Sequence, residues 1–310
     1  MELVVTGKTA VADGVVSLEL ADPAGEALPA WEPGAHVDLM LGPELERQYS
    51  LCGEPADRTR WRIAVLLEAE GRGGSAYVHG RLAVGDRVRV GGPRNHFPLT
   101  EAEEYLFVAG GIGVTPLLPM IRQVARAGLP WRLVYGGRSA SSMAFAAELT
   151  ADGAPVELWP QDERGLIDLD GLLATPRPGV HVYCCGPEPL LAAVEERMAA
   201  WPPHSLKIER FAPKAGVLGG ESTSFTVRLD YSELEVTVEA GQSIVAAVEA
   251  AGVEVMTSCR EGTCGTCETA VISGIPDHRD SVLSDEEHAA NEVMMICCSR
   301  SLSPLLVLDL

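Results

Sequence analysis

The sequence predicts a multidomain chain. An antiparallel β-barrel is expected over residues 1–100, an α/β parallel-sheet domain over 101–212, a linker at 213–222 and an α+β β-grasp domain over 223–310. Three observations carry that reading. Short runs of alternating apolar and polar residues fill the first third, strands alternate with helices in the second, and a hairpin, a helix and four spaced cysteines fill the last.

In the first segment VVSLEL, HVDLML, RQYSLC, WRIAVLLE and DRVRVGGP read as short strands bounded by Gly, Pro and Asp, the mark of a small antiparallel barrel. The middle segment changes character. EYLFVAGG reads as a buried strand, TPLLPMIRQVARAG as a helix, WRLVYGG as a strand, MAFAAELTA as a helix and VELWP as a strand. HVYCCGPEPLLAAVEERMAA then runs from strand into helix, which completes the pattern of a doubly wound parallel sheet. The Gly- and Pro-bearing stretch APKAGVLGGES breaks it and reads as a linker. Beyond lie a hairpin (SFTVRLD and LEVTVEA around YSE), the helix SIVAAVEAAG and a closing strand LLVLDL.

Cys259, Cys264 and Cys267 stand in SCREGTCGTCET, and Cys297 follows in MMICCSR. This C-x4-C-x2-C…C spacing is that of a plant-type 2Fe–2S cluster, which handles single electrons. Gly262 and Gly265 let the loop fold close around such a cluster. A structural zinc site also takes four thiolates, but usually from two C-x2-C knuckles, and only one is present. Cys52, Cys184 and Cys298 read as packing residues.

Composition narrows the partners. With 310 residues and 46% apolar content the chain can bury real cores, while a net charge of −20 argues against the broad basic face that a nucleic-acid partner needs. From Ser222 onward, 15 acidic residues stand against Arg228, Arg260, Arg279 and Arg300, a net of −11, which suits docking to a basic protein surface. MELVVTGKTA lacks an export-like apolar stretch and no run reaches a membrane span, so a cytoplasmic chain with no membrane partner is expected.

Two further constellations point to organic cofactors. Arg47-Gln48-Tyr49-Ser50-Leu51 lies in the barrel segment, and Gly71-Arg72-Gly73-Gly74-Ser75 opens a helix. Arg47 and Arg72 can contact a phosphate beside free N–H groups, Tyr49 can lie against a planar ring and Ser50 can reach a ring nitrogen; together they describe FMN. Gly110-Gly111-Ile112-Gly113-Val114-Thr115-Pro116 follows one strand and Cys185-Gly186-Pro187 ends another, where nucleotides bind in parallel sheets. Arg138 and Ser139, at the end of a further strand, could receive a 2′-phosphate, so NADPH stays open beside NADH.

RQYSL, GRGGS, GGIGVTP and CGP, followed by SCREGTCGTC and ICCSR, resemble the phthalate dioxygenase reductase family over essentially the whole chain. The resemblance implies an electron-transfer reductase in which NADH, or NADPH, reduces FMN and a 2Fe–2S cluster passes single electrons to a Rieske-type oxygenase. A haem-thiolate monooxygenase is the alternative acceptor. It also implies that the backbone of Ala64, Val65 and Leu66 lines the flavin and that Phe211 covers the ring face. Gly73, Gly74 and Ser75 would surround the phosphate, while Gly111, Gly113, Thr115, Cys185, Gly186 and Pro187 would serve the nucleotide. A monomer is expected, with no catalytic acid or base.

Overall fold

Alternation with a period of two builds the first sheet. Its strands are β1 (Glu2–Ala12), β2 (Val15–Ala21), β3 (His36–Gly42), β4 (Leu45–Ser50) and β5 (Trp61–Leu66), then helix α1 (Gly74–Gly80) and β6 (Arg87–Arg94). The pairs Leu3/Val5, Leu18/Leu20, Val37/Leu39, Ile63/Val65 and Val88/Val90 all point into one core, as residues two apart on a strand must. The strand order is β4-β3-β6-β1-β2-β5 with every pairing antiparallel. Just past edge strand β4 the Cys52 N–H donates to the Arg62 carbonyl of the other edge strand, β5, at 2.8 Å, so the sheet rolls toward a barrel. β1 escaped the sequence reading because MELVVTGKTAVA alternates only in part.

The computed structural model describes residues 1–42, 45–214 and 216–310; Ala215, within the expected linker, lies outside them. The chain divides into two units, Met1–Glu209 and Arg210–Leu310.

The rest of the first unit is the parallel sheet. In chain order it contains β7 (Glu104–Gly110), α2 (Val114–Arg126), β8 (Trp131–Gly137), α3 (Ala146–Leu149), β9 (Val156–Pro160), α4 (Gln161–Arg164) and α5 (Leu169–Leu173). It ends with β10 (Val180–Cys185), α6 (Glu188–Arg197) and β11 (Leu206–Glu209). The order is β11-β10-β7-β8-β9, parallel throughout. β7 reads as one apolar run because both its faces are covered. Tyr105, Phe107 and Ala109 join one core, and Leu106 and Val108 join another.

MAFAAELTA is helical only at Ala146–Leu149. Met143, Ala144 and Phe145 turn into the core instead, Phe145 adopting φ 62°, and the Arg62 guanidinium lies 4.9 Å above its ring. Burial outweighed helix propensity there. The barrel and the parallel sheet share a core, since Val15, Cys52, Ala64 and Phe97 pack with Phe107 and Leu117. Arg62 and Arg122 both pair with Glu148, and Arg122 donates to the Gly53 carbonyl at 2.7 Å.

The second unit holds β12 (Phe225–Leu229), β13 (Leu234–Val238), α7 (Ile244–Ala250), β14 (Glu268–Ser273) and β15 (Pro276–Asp277). α8 (Asp285–Ala290), β16 (Val293–Met295), β17 (Arg300–Ser301) and β18 (Leu305–Leu308) follow. β12 pairs antiparallel with β13 and parallel with β18, in the order β13-β12-β18-β14-β16, which gives the expected β-grasp. Ser243 caps α7 by accepting from the Ala246 N–H at 3.1 Å, and Ile244 and Val248 then pack on Val227, Leu306 and Met294. Among the described residues no helix is long and apolar enough to cross a membrane.

Candidate functional site

In the barrel, β4 carries Arg47, Tyr49 and Ser50, and β5 carries Ala64, Val65 and Leu66. Arg47 reaches the glycine-rich segment. Its Nη2 donates to the Arg72 carbonyl at 2.6 Å, and a methyl carbon on Gly74 would lie 2.4 Å from its Cγ. Gly74 therefore has to be a glycine for the two elements to meet. Gly73 stands at φ 81° ahead of α1, and the Ser75 hydroxyl accepts from the Glu68 N–H at 3.1 Å. Because α1 has only seven residues, guanidinium charge rather than helix dipole is the main attraction this cradle offers a phosphate.

Burial pushes the Tyr49 hydroxyl up to about 12 against the pull of Arg47, so it stays protonated. The Ser50 Oγ is buried and has no hydrogen-bond partner of good geometry among the described residues. The Glu209 carboxyl is its polar neighbour, and the hydroxyl's remaining capacity fits a ring nitrogen or carbonyl of a bound flavin.

In the parallel sheet, the chain leaves β7 through a tight turn at Gly111–Gly113 and enters α2 directly. This turn and the end of β10 touch backbone to backbone. A methyl carbon on Gly186 would sit 2.9 Å from the Gly110 Cα, and one on Gly110 would sit 2.6 Å from the Pro187 Cδ. Gly111, at φ 54°, has open space on its side-chain face. The Thr115 hydroxyl donates to the Ile112 carbonyl at 2.9 Å, so it shapes the turn. At the end of β8, Arg138 is exposed, whereas Ser139 and Ser142 cap each other.

One residue here escaped the sequence reading. Glu209 ends β11 and lies beside Cys185, whose sulfur is 3.9 Å from its Oε2. Desolvation pushes the Glu209 carboxyl up to about 8, tempered by the neighbouring Ser50 hydroxyl and Cys185 thiol. Burial and the same carboxyl raise the Cys185 thiol well above its ordinary value. The signal available was an acidic residue closing the strand LKIE at the carboxyl end of a parallel sheet.

In the second unit the four spaced cysteines converge. The Cys259 sulfur is within hydrogen-bonding reach of Cys264 and Cys297, and Cys297 is also within reach of Cys267. Those thiols, with the N–H groups of Glu261 at 3.4 Å and Thr263 at 3.3 Å, hold Cys259 far below the usual thiol range. Gly262 and Gly265 take φ 69° and 74°, and a methyl carbon on Gly262 would strike the Cys298 sulfur at 2.5 Å. Four sulfurs from one loop and one distant segment, with amides aimed at sulfur, fit a 2Fe–2S cluster. Cys52 and Cys184 are fully buried packing residues, while Cys298 is half-buried against the loop. Phe211, 48% exposed, belongs to the second unit.

Residues 227–302 match the family model for the 2Fe-2S iron-sulfur cluster binding domain. The chain is 44% identical to a phenoxybenzoate dioxygenase subunit beta of Ectopseudomonas oleovorans over 96% of this chain and 94% of that protein. It is 39% identical to a phthalate dioxygenase reductase of Burkholderia cepacia, covering 100% of this chain and 97% of the other. Among solved structures, an intact type IV self-sufficient cytochrome P450 monooxygenase superposes with a TM-score of 0.90 at 44% identity. That match covers the whole of this chain but only 41% of the other.

Proposed function

The chain belongs to the phthalate dioxygenase reductase family, and from that premise we propose that it carries electrons from NADH through FMN and a 2Fe–2S cluster to a Rieske-type oxygenase. It is an oxidoreductase of the kind that serves oxygenase systems. The observation that carries the reading is the pairing of two sets of groups. One unit holds an arginine–glycine cradle and a glycine-packed cleft, and the other holds four converging cysteine sulfurs.

The roles fall as follows. Residues 1–100 hold FMN, residues 101–212 hold the nucleotide, 213–222 link, and 223–310 hold the cluster. Arg47 and Arg72, with Gly73, Gly74 and Ser75, bind the phosphate. Tyr49, Ser50 and the backbone of Ala64, Val65 and Leu66 orient the ring, and Phe211 covers it. Gly111 and Gly113 admit the nucleotide while Thr115 holds their turn in shape, and Cys185, Gly186 and Pro187 form the opposite wall. Arg138 and Ser139 meet the ribose end. Cys259, Cys264, Cys267 and Cys297 hold the two irons. Bound flavin supplies the conversion of a two-electron donor into single electrons. Glu209 keeps a proton on its carboxyl near neutral pH, which leaves the wall beside Cys185 uncharged.

A haem-thiolate oxygenase is the second acceptor reading, supported by the superposition on the self-sufficient monooxygenase. The test is an anaerobic titration of the purified protein with NADH and then NADPH, followed by visible absorbance. Bleaching of flavin and cluster bands with uptake of about three electrons per chain is expected. Flavin bleaching with an unreduced cluster would overturn the linear path, and a protein with neither chromophore after reconstitution would overturn the whole reading.

A further inference from the structure

Apart from the four cluster cysteines, the second unit brings two histidines and an aspartate together. His278 and Asp280 follow β15, and His288 lies on α8. The Asp280 side chain is wholly buried, His278 is 9% exposed and His288 is 27% exposed. Asp280 Oδ1 is 3.1 Å from His288 Nε2 and 3.8 Å from His278 Nδ1, and all three atoms lie within 4.8 Å of one another. The two imidazole rings stack with centroids 4.5 Å apart.

The surroundings decide which ring nitrogen of His278 bears its proton. Asn291 Nδ2 donates to the Ala289 carbonyl, which turns Asn291 Oδ1 toward His278 Nε2 at 3.2 Å. An acceptor there makes Nε2 the protonated nitrogen and leaves Nδ1 with its lone pair. That Nδ1 is buried and has no hydrogen-bond partner of good geometry among the described residues. It faces the Asp280 carboxylate, itself an acceptor. Two acceptors facing each other in a buried place call for a positive charge between them. The other carboxylate oxygen, Asp280 Oδ2, accepts from the N–H groups of Val282 at 3.1 Å and Leu283 at 2.8 Å. Each of these two buried donors therefore has an outer partner that orients it, the usual support of a metal ligand.

We propose that His278 Nδ1, His288 Nε2 and Asp280 Oδ1 form a binding site for a divalent transition-metal ion of the zinc class, separate from the iron–sulfur cluster. Two imidazoles and one carboxylate select zinc-like ions over calcium or magnesium, which take oxygen ligands. Tetrahedral zinc with bonds of about 2.1 Å places its donors roughly 3.4 Å apart. The two distances to Asp280 bracket that value, and the third pair of donors lies within 4.8 Å. Water completes the sphere from the exposed side. The ion would also brace the cysteine loop. The Ser281 N–H donates to the Gly262 carbonyl at 2.8 Å, and a methyl carbon on Gly262 would lie 2.8 Å from the Asp280 Cα. The site does not depend on the electron-transfer reading.

The experiment is calorimetric titration of zinc chloride into protein that carries its full iron content, with bound metal counted by elemental analysis. The wild type is expected to bind one zinc per chain. His288→Gln and His278→Gln are each expected to weaken binding by at least about tenfold, while Cys298→Ser leaves it unchanged. His288 is partly exposed, so its glutamine variant keeps the test sound should His278→Gln fail to fold. Absence of saturable zinc binding in the wild type, full binding by His288→Gln, or loss of binding in Cys298→Ser would each overturn the proposal.

Discussion

The backbone of Gly113 lies against the carbonyl of Cys185 so closely that a methyl carbon on Gly113 would sit 2.3 Å from the oxygen. The Gly110–Pro116 turn and the end of β10 are thus one packed junction.

Gly113→Ala is therefore expected to push the turn away from β10. Overpacking against backbone costs about 1–3 kcal/mol. Thermal melting should detect that loss, and the KM for the nicotinamide nucleotide should rise while the cluster spectrum is unchanged.

Arg47→Ala removes the guanidinium that reaches the Arg72 carbonyl. Loss of a charge-assisted phosphate contact is worth about 1.5–3 kcal/mol. FMN affinity, measured by fluorescence on dilution, should fall roughly 10- to 100-fold.

Cys264→Ser removes one of the four converging sulfurs. Reduction of the flavin by nucleotide should persist in stopped-flow absorbance, while electron delivery to a protein acceptor is abolished. Retained delivery would contradict a path through the cluster.

Glu209 supplies a pH dependence with a definite sign. Its carboxyl rises from 4.5 to about 8 in the folded chain through desolvation. A raised folded pKa means that its contribution to stability is complete below about pH 4.5 and is lost as pH rises through 8. The loss is on the order of a few kcal/mol. Glu209→Gln should flatten melting temperature against pH across that window.

Arg138 is exposed just past the end of β8, where the proposed function sets the ribose end of the nucleotide. Arg138→Ala should lower kcat/KM for NADPH about tenfold or more with little change for NADH. An equal fall with both nucleotides would mean that Arg138 does not read the ribose.

The strands and helices that the sequence predicted were those whose pattern is local. β2, β3, β5 and β6 each place two core apolar residues two apart, and β7 and β10 are mostly apolar, broken only by Glu104 and His181. The expected helix at MAFAAELTA shrank because Phe145 found a buried place against Arg62, a contact spanning more than eighty residues of chain. α8 went unread although Ser284 and Glu287 form a reciprocal cap, since its six residues carry no apolar stripe.

The sequence alone determined the order of the three segments, the cysteine spacing and the glycine turns. Each is set by periodicity, by φ or by ligand count within a short stretch. Only the tertiary structure brought Ser50, Cys185 and Glu209 together from three strands, and His278, Asp280 and His288 around one point. A side chain's protonation depends on desolvation and on neighbours distant in the chain, and only the folded packing creates either.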